Sequence, residues 1–180
     1  MKPLDQTKIN LKLFNPFNAT MEEWRNLHDY RKRYYYENVS DLPFIDDETY
    51  EERIKASHEN PSVNLKAYNV EYENKQIGAL GIRINKDGSR LDFNLKLLKQ
   101  YRRQGIGSNV LVKVLKMAKE KNIKFLNSSS MEEDGKQFLK AIGAEKMSKN
   151  IVLEREEITY QMTIEKLDLY LENRNFNLKD

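Results

Sequence analysis

The part of the sequence best suited to chemistry is a basic segment with two glycines, Arg102-Arg103-Gln104-Gly105-Ile106-Gly107-Ser108. Gly105 and Gly107 have no Cβ, so the backbone amides beside them can turn inward and approach a ligand closely. A helical hydrophobic pattern follows, and the amides at a helix N-terminus bind anions. Arg102 and Arg103 add positive charge suited to phosphate oxygens. The segment therefore predicts an anion site built largely from the main chain.

Two other phosphate-binding motifs fit this segment poorly. The dinucleotide fingerprint needs a third glycine, but after Gly107 the sequence continues through Ser108 and Asn109 to Val110. It also follows the first strand of a βαβ unit, whereas a run of predicted strands precedes this segment. The P-loop needs a Gly-Lys-Ser/Thr triplet, which does not occur here. A plain tight turn before a helix stays open as the alternative interpretation.

The elements that would position this segment follow from hydrophobic periodicity, because alternation predicts strands and spacings of three and four predict helices. Thr20 and Glu23 have the spacing of a capping box, and Met21, Trp24 and Leu27 form the inward edge of the helix that follows. The predicted order is a strand at 8–14, helices at 20–36 and 46–59, strands at 64–73, 76–85 and 91–97, a helix after Gly107, a strand at 123–127, a helix at 134–142, and a strand pair at 146–155 and 158–164. This order predicts an α+β fold with a mixed, mostly antiparallel central sheet flanked by helices.

Composition narrows the class of protein. The chain has 180 residues, of which 39% are hydrophobic and 33% charged, which predicts one folded domain rather than a disordered chain. We expect this domain to span 1–165, with 166–180 as a C-terminal tail or linker whose apolar and charged residues fit a strand, a short helix or a linker. The net charge of +3 is too modest to favour a nucleic acid as partner.

Several kinds of site are unexpected in this sequence. It contains no cysteine, which excludes a disulfide framework, a Cys-ligated zinc site and a Cys nucleophile. Its only histidines, His28 and His58, lie at unrelated positions, so we expect no metal. No apolar run has the length of a signal peptide or a membrane span, so we expect a cytoplasmic protein with no membrane partner.

The glycine segment resembles the signature of the GNAT superfamily of acetyl-CoA-dependent N-acetyltransferases, with Arg102-x-x-Gly105-x-Gly107 matching Arg/Gln-x-x-Gly-x-Gly/Ala. Leu97-Leu98 ahead of Tyr101-Arg102 resembles the end of that family's fourth strand. Phe138-Leu139-Lys140-Ala141-Ile142-Gly143-Ala144 is similar to a segment found downstream in the family. The element order also agrees from 8 to about 164. The resemblance implies a GNAT-like sheet and covers most of the chain.

The resemblance implies that acetyl-CoA is the co-substrate and a small amine or a peptide the acceptor. Main-chain amides from Gln104 to Ser108 would hold the pyrophosphate, and Leu97 and Leu98 would pair by backbone with the pantetheine arm. The substrate amine would attack the thioester directly, without a covalent enzyme intermediate. The implied cofactor-binding residues are Leu97, Leu98, Arg102, Arg103, Gln104, Gly105, Ile106, Gly107 and Ser108.

The sequence departs from the family at the general acid. Many members carry a Tyr that protonates the leaving thiolate, and Leu139 occupies that position here. Tyr160 or the serines at 128–130 can substitute, water can protonate the thiolate, or the domain binds acyl-CoA without catalysing. As general base we expect Asp92, which faces away from the apolar side of its strand, although a solvated carboxylate is the plainer interpretation. The acidic run at 132–134 is interpreted as a capped helix start.

Specificity in such folds resides in segments that correspond to 38–47 and 149–157 here. The first combines Asp41, Asp46 and Asp47 with Phe44, which would suit a cationic amine with some apolar body. The segment 128–155 is similar to tandem-domain members of the superfamily, including mycothiol synthase-like enzymes. A monomer, a homodimer or a partnership with a second GNAT domain therefore stays open. So does a non-catalytic or regulatory acyl-CoA-binding role.

Overall fold

The structure is a computed structural model that describes residues 4–60 and 64–174. Within these residues the helices and strands are β1 (Ile9–Phe14), α1 (Met21–Asn38), α2 (Asp47–Glu59), β2 (Asn64–Tyr72), β3 (Lys75–Ile84), β4 (Arg90–Leu97), α3 (Ile106–Glu120), β5 (Phe125–Ser130), α4 (Glu133–Ala141), β6 (Glu145–Val152), β7 (Arg155–Thr163) and α5 (Ile164–Glu172). Each predicted helix and strand is present, with ends shifted by a few residues. The predicted helix before residue 60 begins with Asp46 as its N-cap.

The strands form a seven-stranded sheet in the order β1-β2-β3-β4-β5-β7-β6. β1 runs antiparallel to β2, and β7 runs antiparallel to both β5 and β6. β4 and β5 run parallel, because the helix α3 connects them and returns the chain to the same end of the sheet. The predicted α+β class with a mixed, mostly antiparallel sheet is confirmed.

The chain divides into two compact units. The first comprises the residues up to Ile82 together with Leu95–Gly107, and the second comprises Arg83–Asn94 together with the residues from Ser108 onward. Both units therefore take a part of β4. The predicted boundary at residue 165 is a different division and stays a prediction.

The core of the first unit gathers around α1. Its buried cluster consists of Phe14, Leu27, Tyr30 and Leu98, and the half-buried Trp24 packs against this cluster. The predicted capping box is present: the Thr20 hydroxyl accepts from the Glu23 amide, and the Glu23 carboxylate accepts from the Thr20 amide. The prediction that Met21 belongs to the inward edge of α1 is wrong, because Met21 is 83% exposed. It lies in the first turn of α1, before the helix reaches the core.

The core of the second unit is the apolar stripe of α3. The residues predicted for this stripe are all buried: Val110, Leu111, Val114, Leu115 and Ala118. The start of the tail, for which three conformations were open, is the helix α5. Thr163 caps α5 by accepting from the Lys166 amide, and α5 buries Leu167 and Leu171. The last six residues, 175–180, lie outside the described part of the chain.

The hairpin between β6 and β7 turns three residues earlier than the sequence predicted, at 153–154 rather than at 156–157. β7 begins at Arg155 rather than at Ile158, which leaves Leu153 and Glu154 as a two-residue turn. Both have positive φ, 48° and 63°. A two-residue turn with positive φ at both positions has a backbone twist that matches the right-handed twist of the flanking strands, which is why this turn type closes tight hairpins. Leucine and glutamate adopt this conformation only at a cost in free energy, so neither residue is a turn signal that sequence analysis can recognise.

Candidate functional site

The predicted anion-binding segment is a short loop of the first unit that leads from β4 into α3. After a 3₁₀ turn at Lys99–Tyr101 the chain is extended at Arg102 and left-handed at Arg103, with φ of 57°. Gly105 is also left-handed, with φ of 83°. Glycine adopts this conformation without strain, so the chain reverses there and α3 begins at the next residue. The two glycines of the motif therefore differ, and only Gly105 is required by the backbone.

The start of this loop is fixed to the core of the first unit. The side chain of Leu98 is fully buried among Phe14 and Tyr30, and its amide donates to the carbonyl of Ile77 in β3 at 3.0 Å. The Tyr30 hydroxyl donates to the carbonyl of Lys96, also at 3.0 Å. The amide of Leu98 is thus already used within the sheet. The pairing of Leu97 and Leu98 with the pantetheine arm stays a prediction. It would have to use backbone groups of 97–98 other than this amide.

Arg102, the first residue of the signature, is turned toward the protein. Its Nε donates to the carbonyl of Leu97 at 3.0 Å, and its Nη2 donates to Oδ1 of Asn38 at 2.6 Å. These bonds connect the middle of the loop to the end of β4 and to the C-terminus of α1. The side chain of Arg103, in contrast, is exposed. The geometry therefore gives Arg102 a positioning role and makes Arg103 the accessible cation beside the helix start.

Two further contacts close the loop, and sequence reasoning missed both. Nε2 of Gln6 donates to the carbonyl of Gln104 at 2.7 Å, and the carboxylate of Glu37 accepts from the Lys99 amide at 2.8 Å. These partners are 98 and 62 residues away in sequence, so no local pattern could reveal them. Oε1 of Gln6 is buried without a hydrogen-bond partner. A Cβ added at Gly105 would point at this side chain, 3.4 Å from Nε2.

The chemistry of the loop suits a phosphate group. The first turn of a helix leaves amides without intrahelical partners, and these carry the positive end of the helix dipole. The residues Gly105, Ile106 and Gly107 bring the backbone to that end, and Gly105 and Gly107 leave it uncovered by side-chain carbons. Ser108, predicted to belong to the same site, is a buried residue of α3 in the second unit. The phosphate-binding role of these residues stays a prediction.

The predicted base, Asp92, lies on β4 in the second unit at the point where two strands part. The parallel register joins Arg90, Leu91 and Asp92 to Phe125, Leu126 and Asn127, and in the described chain it ends there although both strands continue. Asp92 and Asn127, as register partners, lie on the same sheet face. Oδ1 of Asp92 is 3.0 Å from Nε of Arg90 on the same strand. Arg90 therefore lies beside the carboxylate on the same face of the strand.

The second predicted catalytic residue, Tyr160, does not meet Asp92. Tyr160 of β7 is paired with Ser128 of β5, so it lies on the sheet face opposite to that of Asn127 and Asp92. Its side chain is only 1% exposed, and its hydroxyl is buried without a hydrogen-bond partner. The two residues therefore cannot act on one substrate from the same face of the sheet. The catalytic role of each stays a prediction.

The polar face of the second unit carries two pairs of hydrogen-bonded side chains whose pairing the sequence did not predict. Nε2 of Gln161 donates to Oδ1 of Asn127 at 2.9 Å. Two residues further along β5, the Ser129 hydroxyl donates to Oε1 of Glu157 at 3.1 Å. Asn127 and Ser129 alternate with the buried Leu126 and Ser128, and this period of two was the available sequence signal. Which strand lies beside β5 could not be read from it.

α4 accounts for the other departures from the family pattern. Leu139 is 3% exposed, so the position where the resemblance places a Tyr belongs to the core. Glu133 and Asp134 occupy the first turn of α4, and Glu132 is its N-cap residue. Carboxylates in a first turn favour the helix dipole. This agrees with the interpretation of the acidic run as a helix start.

Asp46 and Asp47, which were expected to attract a cationic acceptor, have structural roles in α1 and α2. Asp46 caps α2 by accepting from the Thr49 amide, and this bond lowers the pKa of Asp46. Asp47 pairs with Arg31 at 3.0 Å. Arg31 also stacks on Tyr50, 3.5 Å from the ring centroid, and burial lowers the pKa of Arg31. Asp46 thus serves the start of α2, and Asp47 joins α2 to Arg31 of α1. The expectation that 38–47 recognises a cationic amine stays a prediction.

In the ranges 4–60 and 64–174, no cluster of three or more His, Cys, Asp or Glu residues could hold a metal ion. No helix within these ranges is long and apolar enough to cross a membrane.

One known family matches much of the region that contains these elements. The sequence profile of the acetyltransferase (GNAT) family matches residues 24–137, which is more than half of the chain. No curated protein matches the sequence.

Several solved structures are similar in fold. A probable acetyltransferase of the GNAT family from Chromobacterium violaceum is 14% identical, with 89% of this chain and 90% of that chain covered and a TM-score of 0.66. Mutant forms of the spermidine/spermine N-acetyltransferase SpeG from Vibrio cholerae are 12% identical, with 94% and 99% covered and a TM-score of 0.64. A Salmonella typhimurium acetyltransferase that modifies the N-terminal serine of a ribosomal protein is 14% identical, with 87% and 95% covered and a TM-score of 0.67. At these identities the likeness concerns the fold.

Proposed function

Because this chain belongs to the acetyltransferase (GNAT) family, we propose that it transfers an acetyl group from acetyl-CoA to a primary amine. The resemblance based on Arg102, Gly105 and Gly107 is confirmed at the level of the family. Its finer parts, the tandem-domain subgroup and the identity of the acceptor, belong to this proposal. Two structurally similar proteins whose names give an acceptor act on amines, a polyamine and an N-terminal serine.

The observation that carries the proposal is the loop from Arg102 to Gly107. Its left-handed Gly105 brings the chain directly into the start of α3, where amides are available for an anion. Arg102, Gln6 and Glu37 hold this conformation in advance of binding. A preorganised loop loses little conformational entropy when a ligand binds. We therefore assign the pyrophosphate of acetyl-CoA to this loop, with Arg103 as an additional cation.

Acetyl-CoA supplies an activated acyl group, a thioester whose carbonyl carbon accepts a nucleophile. The acceptor ammonium must first lose a proton to a base of the protein. The amine nitrogen then bonds to the carbonyl carbon while the carbon–sulfur bond breaks, and the nitrogen releases its second proton to the solvent, which gives a neutral amide and a CoA thiolate. The thiolate takes up a proton from the solvent or from a side chain. The protein's part is to orient the amine and to accept its proton.

Calorimetric titration of the full chain with acetyl-CoA and with CoA tests this proposal. We expect one-to-one binding in the micromolar range that weakens as salt is raised, since phosphate contacts are screened. A panel of alkylamines, polyamines and short peptides with detection of the released thiol then tests transfer. Absence of binding to both acetyl-CoA and CoA would overturn the assignment of the loop.

A second function, acyl-CoA binding without catalysis, is favoured by one specific observation. Leu139 is buried at the position where many family members have the Tyr that protonates the thiolate. Leucine has no proton to donate. Under this alternative, acetyl-CoA binds, no amine of the panel releases thiol, and the role of the chain is regulatory or depends on a second domain.

A further inference from the structure

We propose that Glu157, oriented by Ser129, is the carboxylate that binds the acceptor ammonium and accepts its proton. This role rests on the proposed function and names a residue for it. Glu157 lies on β7 and Ser129 on β5, both in the second unit. The Ser129 hydroxyl donates to Oε1 of Glu157 at 3.1 Å. An amine whose ammonium binds at this pair loses its proton to the carboxylate, and its nitrogen becomes nucleophilic.

The location of this pair is set by the parting of β4 from β5. The register of these strands ends with Asp92 opposite Asn127, and Ser129 is the next residue of β5 on the same face. Beyond Asn127, β5 stays paired with β7, where Ser129 lies opposite Thr159. β5 is therefore held on one side and separated from β4 on the other. A polar face beside such an opening offers space and hydrogen-bond partners to a ligand.

The charges on this face single out Glu157. Two other carboxylates share the face: Asp92, which pairs with Arg90, and Glu145, which pairs with Lys166. Glu157 is half-buried, and it forms no ion pair with any residue of the described ranges. A carboxylate whose hydrogen-bond partner is a neutral hydroxyl keeps its negative charge available for a cation, whereas one bound to arginine does not.

The hydrogen bond also determines the direction of the carboxylate. Oε1 accepts from Ser129, which fixes the side chain across the two strands, so a ligand can be bound through Oε2. The neighbouring pair, Gln161 with Asn127, joins directly opposite residues of the two strands without a charge, whereas Glu157 is diagonal to Ser129. Gln161 and Asn127 flank the carboxylate with amide groups. The face therefore fits a primary ammonium, which needs one anion and neutral acceptors.

The test uses Glu157→Gln in the full chain, with Glu156→Gln as matched control. Glu156 is the adjacent residue on the opposite face of β7, and it pairs with Lys149. Both variants lose one negative charge from neighbouring positions of one strand. The readouts are calorimetric binding of acetyl-CoA, binding of the best amine of the panel to the CoA-loaded protein, and the pH profile of kcat/KM for that amine.

We expect Glu157→Gln to bind acetyl-CoA as the parent does, to bind the amine at least tenfold more weakly, and to lose about hundredfold or more in kcat/KM. Its pH profile of kcat/KM should also differ from that of the parent, whereas the profile of Glu156→Gln should not. Charged groups on the same sheet face are Arg90 and Asp92 of β4, Glu145 of β6 and Arg155 of its own strand, and all are unchanged in the variant. Glu156→Gln should stay within about twofold of the parent.

Ser129 is a positioning residue in this proposal. Ser129→Ala should lower kcat/KM by about tenfold, the effect of losing one hydrogen bond to a charged group. Ser129→Thr should restore most of the activity, because it keeps the hydroxyl. If the parent turns over the amine and Glu157→Gln does so at the same rate, the role of Glu157 is overturned and the proposed function stays intact. Acetyl-CoA binding without turnover by the parent would instead contradict acetyl transfer itself.

Discussion

Replacing Gly105 by valine tests whether the left-handed turn before α3 is needed for binding. Gly105 has φ of 83°, a conformation in which a β-branched residue is strongly disfavoured. The cost for an L-residue is about 1–2 kcal/mol. The added Cβ would lie 3.4 Å from Nε2 of Gln6, an ordinary contact, so the backbone accounts for most of the strain. To relieve it, the chain must rotate the amides that follow.

Gly88 provides the matched control. It lies in the turn before β4, has φ of 71°, and a Cβ there would meet nothing within 4 Å. Gly88→Val therefore carries a similar backbone strain without a change in the loop. Each variant should lose about 1–2 kcal/mol of stability, which for a chain of this size lowers Tm by roughly 2–8 °C.

The two variants should differ in ligand binding. Calorimetry should give Gly105→Val an affinity for acetyl-CoA at least tenfold below the parent, a loss of about 1.4 kcal/mol or more. Gly88→Val should bind as the parent does. If Gly105→Val showed the same fall in Tm as the control and bound acetyl-CoA with the affinity of the parent, the amides after Gly105 would not be the pyrophosphate site.

Three further predictions concern other parts of the molecule. Arg102→Gln should lower Tm by several degrees because the guanidinium bonds to Leu97 and Asn38 are lost, as thermal melts would show. Arg103→Gln should weaken acetyl-CoA binding, most at low salt, as calorimetry would show. Tyr160→Phe removes a buried hydroxyl without a partner and should raise Tm by about 2–4 °C, while a tenfold fall in kcat would instead make this phenol the general acid. Asp46→Asn keeps the cap of α2 but cannot titrate. Since the Thr49 amide lowers the pKa of Asp46, the carboxylate stabilises the fold above about pH 3.9 and loses this effect as pH falls through the lower folded value, so Tm of the variant should decline less steeply in acid.

The sequence predicted those features that depend on neighbours in the chain. The capping box at Thr20 and Glu23, the apolar stripe of α3 and the α+β class all follow from spacings within one element. The glycine motif likewise identified the loop before α3, because turn chemistry and the helix start are local.

The contacts that organise the candidate site depend on pairing between distant strands. Asp92 was predicted as the base, and Tyr160 as one candidate for the general acid, but the order β4-β5-β7 and the register place them on opposite faces. Shifting a register by one residue would reverse that result, and periodicity alone does not determine it. The pairing of Glu157 with Ser129 was not predicted for the same reason, since their hydrogen bond joins two strands that are distant in sequence.

The end of the sheet has a consequence for handling the protein in solution. β6 is the last strand in the order, is exposed along its whole length, and carries the exposed apolar residues Met147 and Ile151. An edge strand with unpaired amides and carbonyls is a template for another chain, and lysines on such an edge oppose that pairing. Lys146 and Lys149 are placed to do so. Aggregation at high protein concentration should therefore begin at this edge, and neutralising these two lysines should promote it.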